Sequence, residues 1–322
     1  MTQTIQRFCI VGLGKMGANI ARNALRNGFE VIGIDPKGAT EELTGAGVKV
    51  ATMPELGRLL SRPRLVMLYV PAGPLIDSLL AQLREHLEPG DIIADGGNSY
   101  WGDSVRRHAR VKQWGLHFID VGTSGGPGGA LSGPCFMVGG ERESVAAIEP
   151  MLCKLAIDGG YIHAGGPGAG HFVKLVHNGI EFGMLQAIAE GLDLLTHYRE
   201  QLAIADLLKC WQHGSVIRSW LIELLEQMYR QQDGIQSVPA YVEDTGEVNW
   251  LVDDALHMEV PIPAIATSVM ELIASRDTAH NWARAIAMMR HGFGGHPFGS
   301  DKGIARERHT GRVGTFVGEK AA

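Results

Sequence analysis

Four residues in the segment HFVKLVHNGIEFG, 171–183, carry groups that exchange protons and hydrogen bonds: Lys174, His177, Asn178 and Glu181. Their spacing is i, i+3, i+4 and i+7. At about 100° per residue on a helix they share one stripe. An amine can act as general base and a carboxyl as general acid, with an imidazole and an amide between them to hold a substrate. If buried, such groups must pair with one another or with a ligand. If solvated, the same four form a polar face with a Lys–Glu helix pair. The stripe opens just after HAGGPGAG, residues 163–170, a Gly/Pro-rich segment expected to be a hinge. Clefts at such junctions are where ligands bind.

A second pattern lies near the start of the sequence. GLGKMG places Gly12, Gly14 and Gly17 in GxGxxG spacing between an expected strand and an expected helix. Gly12 permits a tight turn, Gly14 lets backbone approach a pyrophosphate, and Gly17 lets the helix pack closely on the strand. The next strand ends in Asp35, at the distance where an acidic residue accepts hydrogen bonds from a ribose 2′-hydroxyl and repels a 2′-phosphate. NAD is therefore favoured over NADP, although Lys37 stands close enough to neutralise a phosphate.

Two further glycine-rich segments follow expected strands: DGGNS at 95–99 and GTSGGPGG at 122–129. In open α/β sheets ligands bind outside the carboxyl ends of the strands. Backbone amides in such loops suit carboxylate or phosphate oxygens. The alternative is a pair of ordinary turns.

The elements that must position these groups follow from periodicity. Strands are expected at 7–11, 30–34, 65–70, 91–94, 116–121 and 135–138. Helices are expected at 15–27, 73–86, 102–114 and 142–155. Alternation of this kind predicts a parallel sheet with helices on both faces, a doubly wound Rossmann fold. From about 166 the pattern becomes helical: 171–197, 204–212, 219–231, 249–256 and 263–289. The expected organisation is an α/β dinucleotide-binding domain at 1–165, an all-helical substrate and dimerisation domain at 166–291, and a Gly-rich, charged tail at 292–322. Trp211, Trp220 and the paired methionines are expected in the core.

Composition excludes other classes. The chain has 322 residues, 45% hydrophobic and 20% charged, enough for two globular domains. Its 29 basic and 35 acidic residues give a net charge of −6, which argues against nucleic acid as a partner. Cys9, Cys135, Cys153 and Cys210 form no CxxC pair. His108, His213 and His280 have no ligand partners at standard spacing, so no metal is expected. The apolar run 65–83 is broken by Pro71, Pro74 and Asp77 and is not expected to enter a membrane. With a strand starting near residue 7 there is no room for a leader, and a cytoplasmic location is expected.

Taken together, GLGKMGAN, DGGNSYWGDS, TSGGPGGALSGP and GHFVKLVHNGIE resemble decarboxylating 6-phosphogluconate dehydrogenase, in order and across most of residues 8–190. GEVNW with the helix reaching Arg276, and RHGFGGH from Arg290 to His296, extend the resemblance. It implies that Lys174 is the base for the substrate 3-hydroxyl and that Glu181 protonates carbon after carbon dioxide leaves, giving ribulose 5-phosphate. A lysine working as base near neutrality needs burial or a nearby cation to lower its pKa. The resemblance carries over Asn98, Ser124, Gly125, Gly126, His177 and Asn178 as sugar-acid contacts, and Arg276, Arg290 and His296 as phosphate contacts. Arginine suits that task through its bidentate fork. It also implies Gly12, Leu13, Gly14, Lys15, Met16, Gly17, Asp35, Val70 and Asn98 as cofactor contacts. A homodimer or homotetramer is implied, in which the tail enters a neighbouring active site.

Four departures mark this chain. It is short, like the NAD-preferring branch. Phe182 replaces a tyrosine. Val242, Glu243 and Asp244 stand where the family carries a phosphate-binding lysine. Pro71 replaces a basic residue after the third strand. The second and third should weaken phosphate affinity or admit an unphosphorylated sugar acid. The competing readings are a non-decarboxylating NAD-dependent 3-hydroxyacid dehydrogenase and an inactive nucleotide-binding sensor.

Overall fold

The computed structural model describes residues 5–310. The first strand, Arg7–Val11 (β1), shows why the sheet forms. Phe8 and Ile10 enter one core while Cys9 and Val11 enter another, so successive side chains are buried on opposite faces. Such strands must read as continuous apolar runs because neither face meets water. The chain continues through Lys15–Arg26 (α1), Glu30–Ile34 (β2), Glu41–Gly45 (α2), Lys49–Val50 (β3), Leu56–Leu59 (α3) and Leu65–Leu68 (β4). It goes on through Pro74–Leu83 (α4), Ile92–Asp95 (β5), Trp101–Lys112 (α5), His117–Ser124 (β6), Gly126–Ser132 (α6), Cys135–Gly139 (β7), Arg142–Leu155 (α7) and Tyr161–Gly165 (β8).

The strands form one eight-stranded sheet in the order β3-β2-β1-β4-β5-β6-β7-β8. Ile20, Ala130 and Ile148, from α1, α6 and α7, pack on one face; Leu56, Leu80 and Val111, from α3, α4 and α5, pack on the other. This is the doubly wound Rossmann arrangement expected from the alternation.

The expectation of a wholly parallel sheet needs one correction. β6 and β7 run antiparallel, with Ser124 opposite Cys135. The connection between them holds only the short α6, and a parallel crossover needs a dozen residues or more. The edge strand β8, which pairs parallel with β7, was not anticipated. Its Ile162 is half exposed, so, like the other edge strand β3, it lacks the two-sided burial that marks the inner strands.

The long helix is Ala169–Thr196 (α8). Ile204–Trp211 (α9), Trp220–Gln231 (α10), Glu247–His257 (α11), Pro263–Ala274 (α12), Asn281–Gly294 (α13) and Lys302–Thr310 (α14) follow. The chain divides into two compact units. The first comprises the residues up to Gly179 together with Gly246–Asp254; the second comprises Ile180–Thr245 and the residues from Ala255. By contacts the division falls inside α8, because the opening turns of α8 are packed against the sheet.

In the second unit Leu192, Ile204, Leu208 and Ile222 form the core. Beside it lies an apolar cavity of about 190 Å³, lined by Leu192, Trp211 and Ile217 among others. Trp211 packs on this core as expected, but Trp220, Met288 and Met289 are more than half exposed. The single helix expected at 263–289 is two. Asp277 Oδ1 accepts from the backbone N–H groups of Ala279 and His280, and His280 takes φ 48°, which breaks the helix between α12 and α13. The expected tail begins inside α13 and contains α14; its positions 311–322 lie outside the described residues. Among the described residues no helix is long and apolar enough to cross a membrane.

Candidate active site

The glycine-rich turn after β1 is shaped by two close approaches and one opening. Gly12 has φ +94°, and a Cβ there would stand 2.3 Å from the Tyr69 carbonyl oxygen. A Cβ on Gly17 would stand 1.9 Å from the Gly12 carbonyl oxygen. A Cβ on Gly14 would meet nothing within 4 Å. Two glycines press the turn onto the sheet, and the third leaves its outer face clear. α1 opens with no side-chain cap and no acidic residue in its first turn. The first N–H groups of a helix have no partner within it, so those of Lys15, Met16 and Gly17 suit a pyrophosphate.

Leu13 packs on Gly33 and donates its N–H to Asp35 Oδ2 at 2.8 Å. Asp35 Oδ1 accepts from Lys37 N at 2.8 Å. A carboxylate offers about four acceptor sites, so two backbone bonds fix its orientation and leave capacity for ribose hydroxyls. Val70 lies against Gly12, its Cγ1 2.9 Å from where a Cβ would stand there.

After β5, Asn98 is exposed and its Nδ2 donates to Glu247 Oε1 at 3.2 Å. The segment that follows also anchors α11 further along. Tyr100 OH donates to Asp254 Oδ1 at 2.8 Å and Trp101 Nε1 to Asp254 Oδ2 at 2.7 Å. Burial, then the Asp254 carboxylate, push the Tyr100 hydroxyl up to about 12, so it stays a donor. Glu247 and Asp254 were not singled out in the sequence, although Glu247 belongs to the GEVNW segment that was.

Lys174 is only 9% exposed. Its Nζ donates to Asn178 Oδ1 at 2.5 Å and lies 3.4 Å from His177 Nδ1. His177 Nδ1 is 3.1 Å from Asn178 Oδ1, and His177 Nε2 is 3.0 Å from Ser124 Oγ. The solvated-face reading of the stripe therefore fails: Lys174, His177 and Asn178 form one cluster at the carboxyl end of β6. Two proton arrangements satisfy it. With Nδ1–H, the ring donates to Asn178 and accepts from Ser124. With Nε2–H, it accepts from the Lys174 ammonium and donates to Ser124. Movement of a proton at Lys174 is thereby linked to the imidazole tautomer.

What holds Lys174 there is backbone on backbone. A Cβ on Gly122 of β6 would stand 2.6 Å from Lys174 Cβ, and one on Gly170 would stand 2.5 Å from the Met137 carbonyl oxygen. The buried Asp120 accepts from Gly168 N at 2.7 Å and from His171 N at 2.9 Å, placing a carboxylate at the N-terminus of α8. Ser104 Oγ sits 2.7 Å from His171 Nδ1. Sequence reasoning passed over Asp120. Its signal was a lone acid between Ile119 and Val121 in an otherwise apolar strand.

The segment expected to be a loop at 122–129 is partly helical. Ser124 ends β6, Gly125 takes φ +111°, and Gly126 opens α6 with φ +59°. Both glycines allow the reversal that leaves Ser124 beside His177. Glu181, Arg276, Arg290 and His296 are carried by the second unit. Glu181 continues along α8 two turns beyond Lys174. Arg276 Nη1 donates to the Val242 carbonyl and stands 3.4 Å from Asp244 and 3.6 Å from Glu243. Val242, Glu243 and Asp244, which stand where the resemblance implies a lysine, therefore supply acceptors to Arg276. Arg290 lies near the end of α13 and is exposed, whereas His296 follows the Gly295 cap and touches Phe293. Among the described residues no group of three or more His, Cys, Asp or Glu side chains could hold a metal.

A family profile described as the NAD binding domain of 6-phosphogluconate dehydrogenase matches residues 7–165, and one described as its C-terminal domain matches 170–302. The chain belongs to the 6-phosphogluconate dehydrogenase family. A Haloferax volcanii relative named 6-phosphogluconate dehydrogenase, NAD(+)-dependent, decarboxylating is 37% identical over 291 residues, 89% of this chain and 96% of that one. A Bacillus subtilis relative named as the NADP(+)-dependent decarboxylating enzyme is 34% identical over 282 residues, 82% of this chain but 60% of that one. A solved Plasmodium falciparum 6-phosphogluconate dehydrogenase, described with NADP+ and with 6-phosphogluconate, has a TM-score of 0.76 at 26% identity, covering 92% of this chain and 66% of that chain. Some members of the family are thus of this length, and others are half as long again.

Proposed function

We propose that this chain oxidises and decarboxylates 6-phosphogluconate, or a closely related sugar acid, to ribulose 5-phosphate. The observation that carries the reading is the buried amine of Lys174, held by Asn178 and His177 and backed by Ser124. In the forward reaction Lys174 takes the proton of the 3-hydroxyl. A bound nicotinamide dinucleotide supplies the acceptor for the C3 hydride. Lys174, now an ammonium, donates to the C3 carbonyl oxygen and draws in electron density as the C1–C2 bond breaks and carbon dioxide leaves. Glu181 delivers the proton that C1 of the product requires. Ser124, His177, Asn178 and Asn98 orient the sugar acid, and Arg276, Arg290 and His296 meet its phosphate.

One carbon dioxide is expected for each reduced dinucleotide formed from 6-phosphogluconate, measured by trapping the gas while following absorbance. Reduction without gas release would transfer the chain to the non-decarboxylating 3-hydroxyacid dehydrogenases. No reduction with any sugar acid or 3-hydroxy acid would leave the sensor reading.

The proposed cofactor is NAD. Asp35 stands at the end of β2 with its carboxylate fixed by two backbone donors, an anion where NADP would bring a phosphate. Asp35→Ala is expected to narrow the preference for NAD over NADP by about tenfold to a hundredfold, the worth of hydrogen bonds to a charged group. An unchanged ratio of kcat/KM for the two cofactors would remove Asp35 from the argument.

The proposal includes a homodimer or homotetramer, with Arg290, His296 and the tail serving a neighbouring subunit's site. It is supported by α13, which buries none of its residues within the chain and exposes Trp282, Met288 and Phe293. Apolar surface on that scale marks an interface. Light scattering that finds only single chains at full activity would overturn it. The cytoplasm is the proposed location, supported by four cysteines that are all free thiols. Cell fractionation that finds the protein elsewhere would refute that part.

A further inference from the structure

Arg107 has the largest side chain among the fully buried residues, at 1% exposure in the middle of α5. Its guanidinium reaches two loops. Toward the segment after β4, Nη2 donates to the Gly73 carbonyl at 2.9 Å and to Asp77 Oδ2 at 2.9 Å. Toward the loop after β5, Nη1 meets Ser99 Oγ at 3.4 Å and stands 3.9 Å from Asp95 Oδ2. Asp95 is fully buried and shapes that loop itself, accepting from Ser99 Oγ at 2.7 Å and from Gly97 N at 3.1 Å. The loops also meet directly, because a Cβ on Gly97 would stand 2.9 Å from the Val70 carbonyl oxygen.

Burying a guanidinium is costly, and a well-packed apolar side chain would often fill the same space at no loss of stability. The Arg107 Nε atom finds no hydrogen-bond partner, so the group is not placed where its own donors are best satisfied. What distinguishes arginine here is the planar fork, which serves two partners in different directions at once. Burial works to raise the Asp77 carboxyl, but the Arg107 hydrogen bond and the charges of Arg107, Arg106 and Arg110 outweigh it and hold it below the usual carboxylate value. The Asp77 carboxylate therefore stays ionised through neutral pH.

We propose that Arg107 is a positioning residue that clamps the loop bearing Val70 to the loop bearing Asn98, so that dinucleotide and sugar acid meet a fixed pair of walls. The proposal rests on the reading of those loops as ligand-facing. Asp77→Asn loosens the clamp on the Val70 side and Ser99→Ala on the Asn98 side, each without removing the guanidinium. Arg107→Lys keeps the charge and loses the fork.

The test measures the Kd of the reduced dinucleotide by its fluorescence, with KM and kcat for 6-phosphogluconate, well below each variant's unfolding midpoint. Asp77→Asn and Ser99→Ala are each expected to raise Kd about fivefold to tenfold, the worth of an ordinary hydrogen bond, since an amide at 77 still accepts and the Ser99 contact is long at 3.4 Å. The double variant is expected to fall clearly short of the product of the two single effects, because both loosen the same guanidinium, although Ser99→Ala also removes the Ser99–Asp95 hydrogen bond. Arg107→Lys, if it folds, is expected to match the double variant. Lowered unfolding midpoints with Kd and KM within about twofold of the parent would make the cluster purely structural and overturn the proposal. So would full additivity of the two substitutions. A parent protein that binds no dinucleotide at all would sink the functional reading, and this proposal with it.

Discussion

Replacing Lys174 with alanine is expected to lower kcat by about 10²- to 10⁴-fold, the range that a positioned proton-transfer group supplies. The Kd for the dinucleotide should stay within about twofold, since the cradle around Gly12, Gly14 and Gly17 is built from β1 and α1 and the amine is not part of it. The loss is expected in kcat more than in KM, because the amine acts on charge that develops only as the reaction proceeds. Lys174→Arg makes the control. It keeps a cation at the end of the helical stripe, but a guanidinium is not deprotonated in a protein. If Lys174 serves only as a fixed positive charge for the substrate, the arginine variant should recover much of the activity. If it must receive a proton, both variants should fail alike. Wild-type turnover in either one would remove Lys174 as the base and leave the buried cluster without its central role.

The Lys174 cluster was legible because it is local. Lys174, His177 and Asn178 lie within five consecutive residues, so helical spacing alone places them on one stripe. The family resemblance implied Ser124 only as a sugar-acid contact; its place beside His177 comes from the approach of β6 to α8, which local periodicity cannot convey. Asp120, Gly139 and Gly170 were missed for the same reason. Each acts through a contact with a distant element, and each looks in sequence like one more acid or glycine. A glycine required by close approach is identical in type to one required by a turn. Only the distance a Cβ would have to something else separates them, and that distance is tertiary information.

The fold divides along the same line. Strands buried on both faces, such as Leu65–Leu68, announce themselves by unbroken apolar runs. The direction of β7 does not appear in its own residues; it follows from the length of the connection before it. The break between α12 and α13 was written in the sequence as Asp277, whose side chain competes for the backbone N–H groups that a continuing helix would use. Apolar periodicity runs through the break and hides it, because both helices expose apolar faces. In the second unit the pattern of burial and the pattern of hydrophobicity disagree. Trp220, Trp282 and Met288 look like core and are exposed within the chain. Burial inside one chain is only part of what selects apolar residues, which is why the same surface supports the proposal of a second copy.

Gly122→Ala is expected to cost about a hundredfold in kcat, although it removes no functional group. The new methyl would stand 2.6 Å from Lys174 Cβ, 2.8 Å from the Gly170 carbonyl oxygen and 3.3 Å from Lys174 Cγ. None of these atoms is the free end of a flexible side chain, so relief requires the opening of α8 to move. That movement is resisted. Gly170 is itself packed against Gly139 N and the carbonyl oxygens of Met137 and Asp120, and the Asp120 carboxylate holds the N–H groups of Gly168 and His171. The overlap should therefore divide between strain, about 1–3 kcal/mol of lost stability, and a shift of Lys174 relative to Ser124. A misplacement of about 1 Å at a catalytic group is worth about a hundredfold in rate. kcat should fall by that order while dinucleotide affinity is retained. Gly128→Ala supplies the comparison in the adjacent α6, where a Cβ meets nothing within 4 Å and little change is expected. A Gly122→Ala enzyme with parental kcat and unfolding midpoint would show that α8 can retreat from the sheet without cost, and that the amine is not positioned by backbone contact.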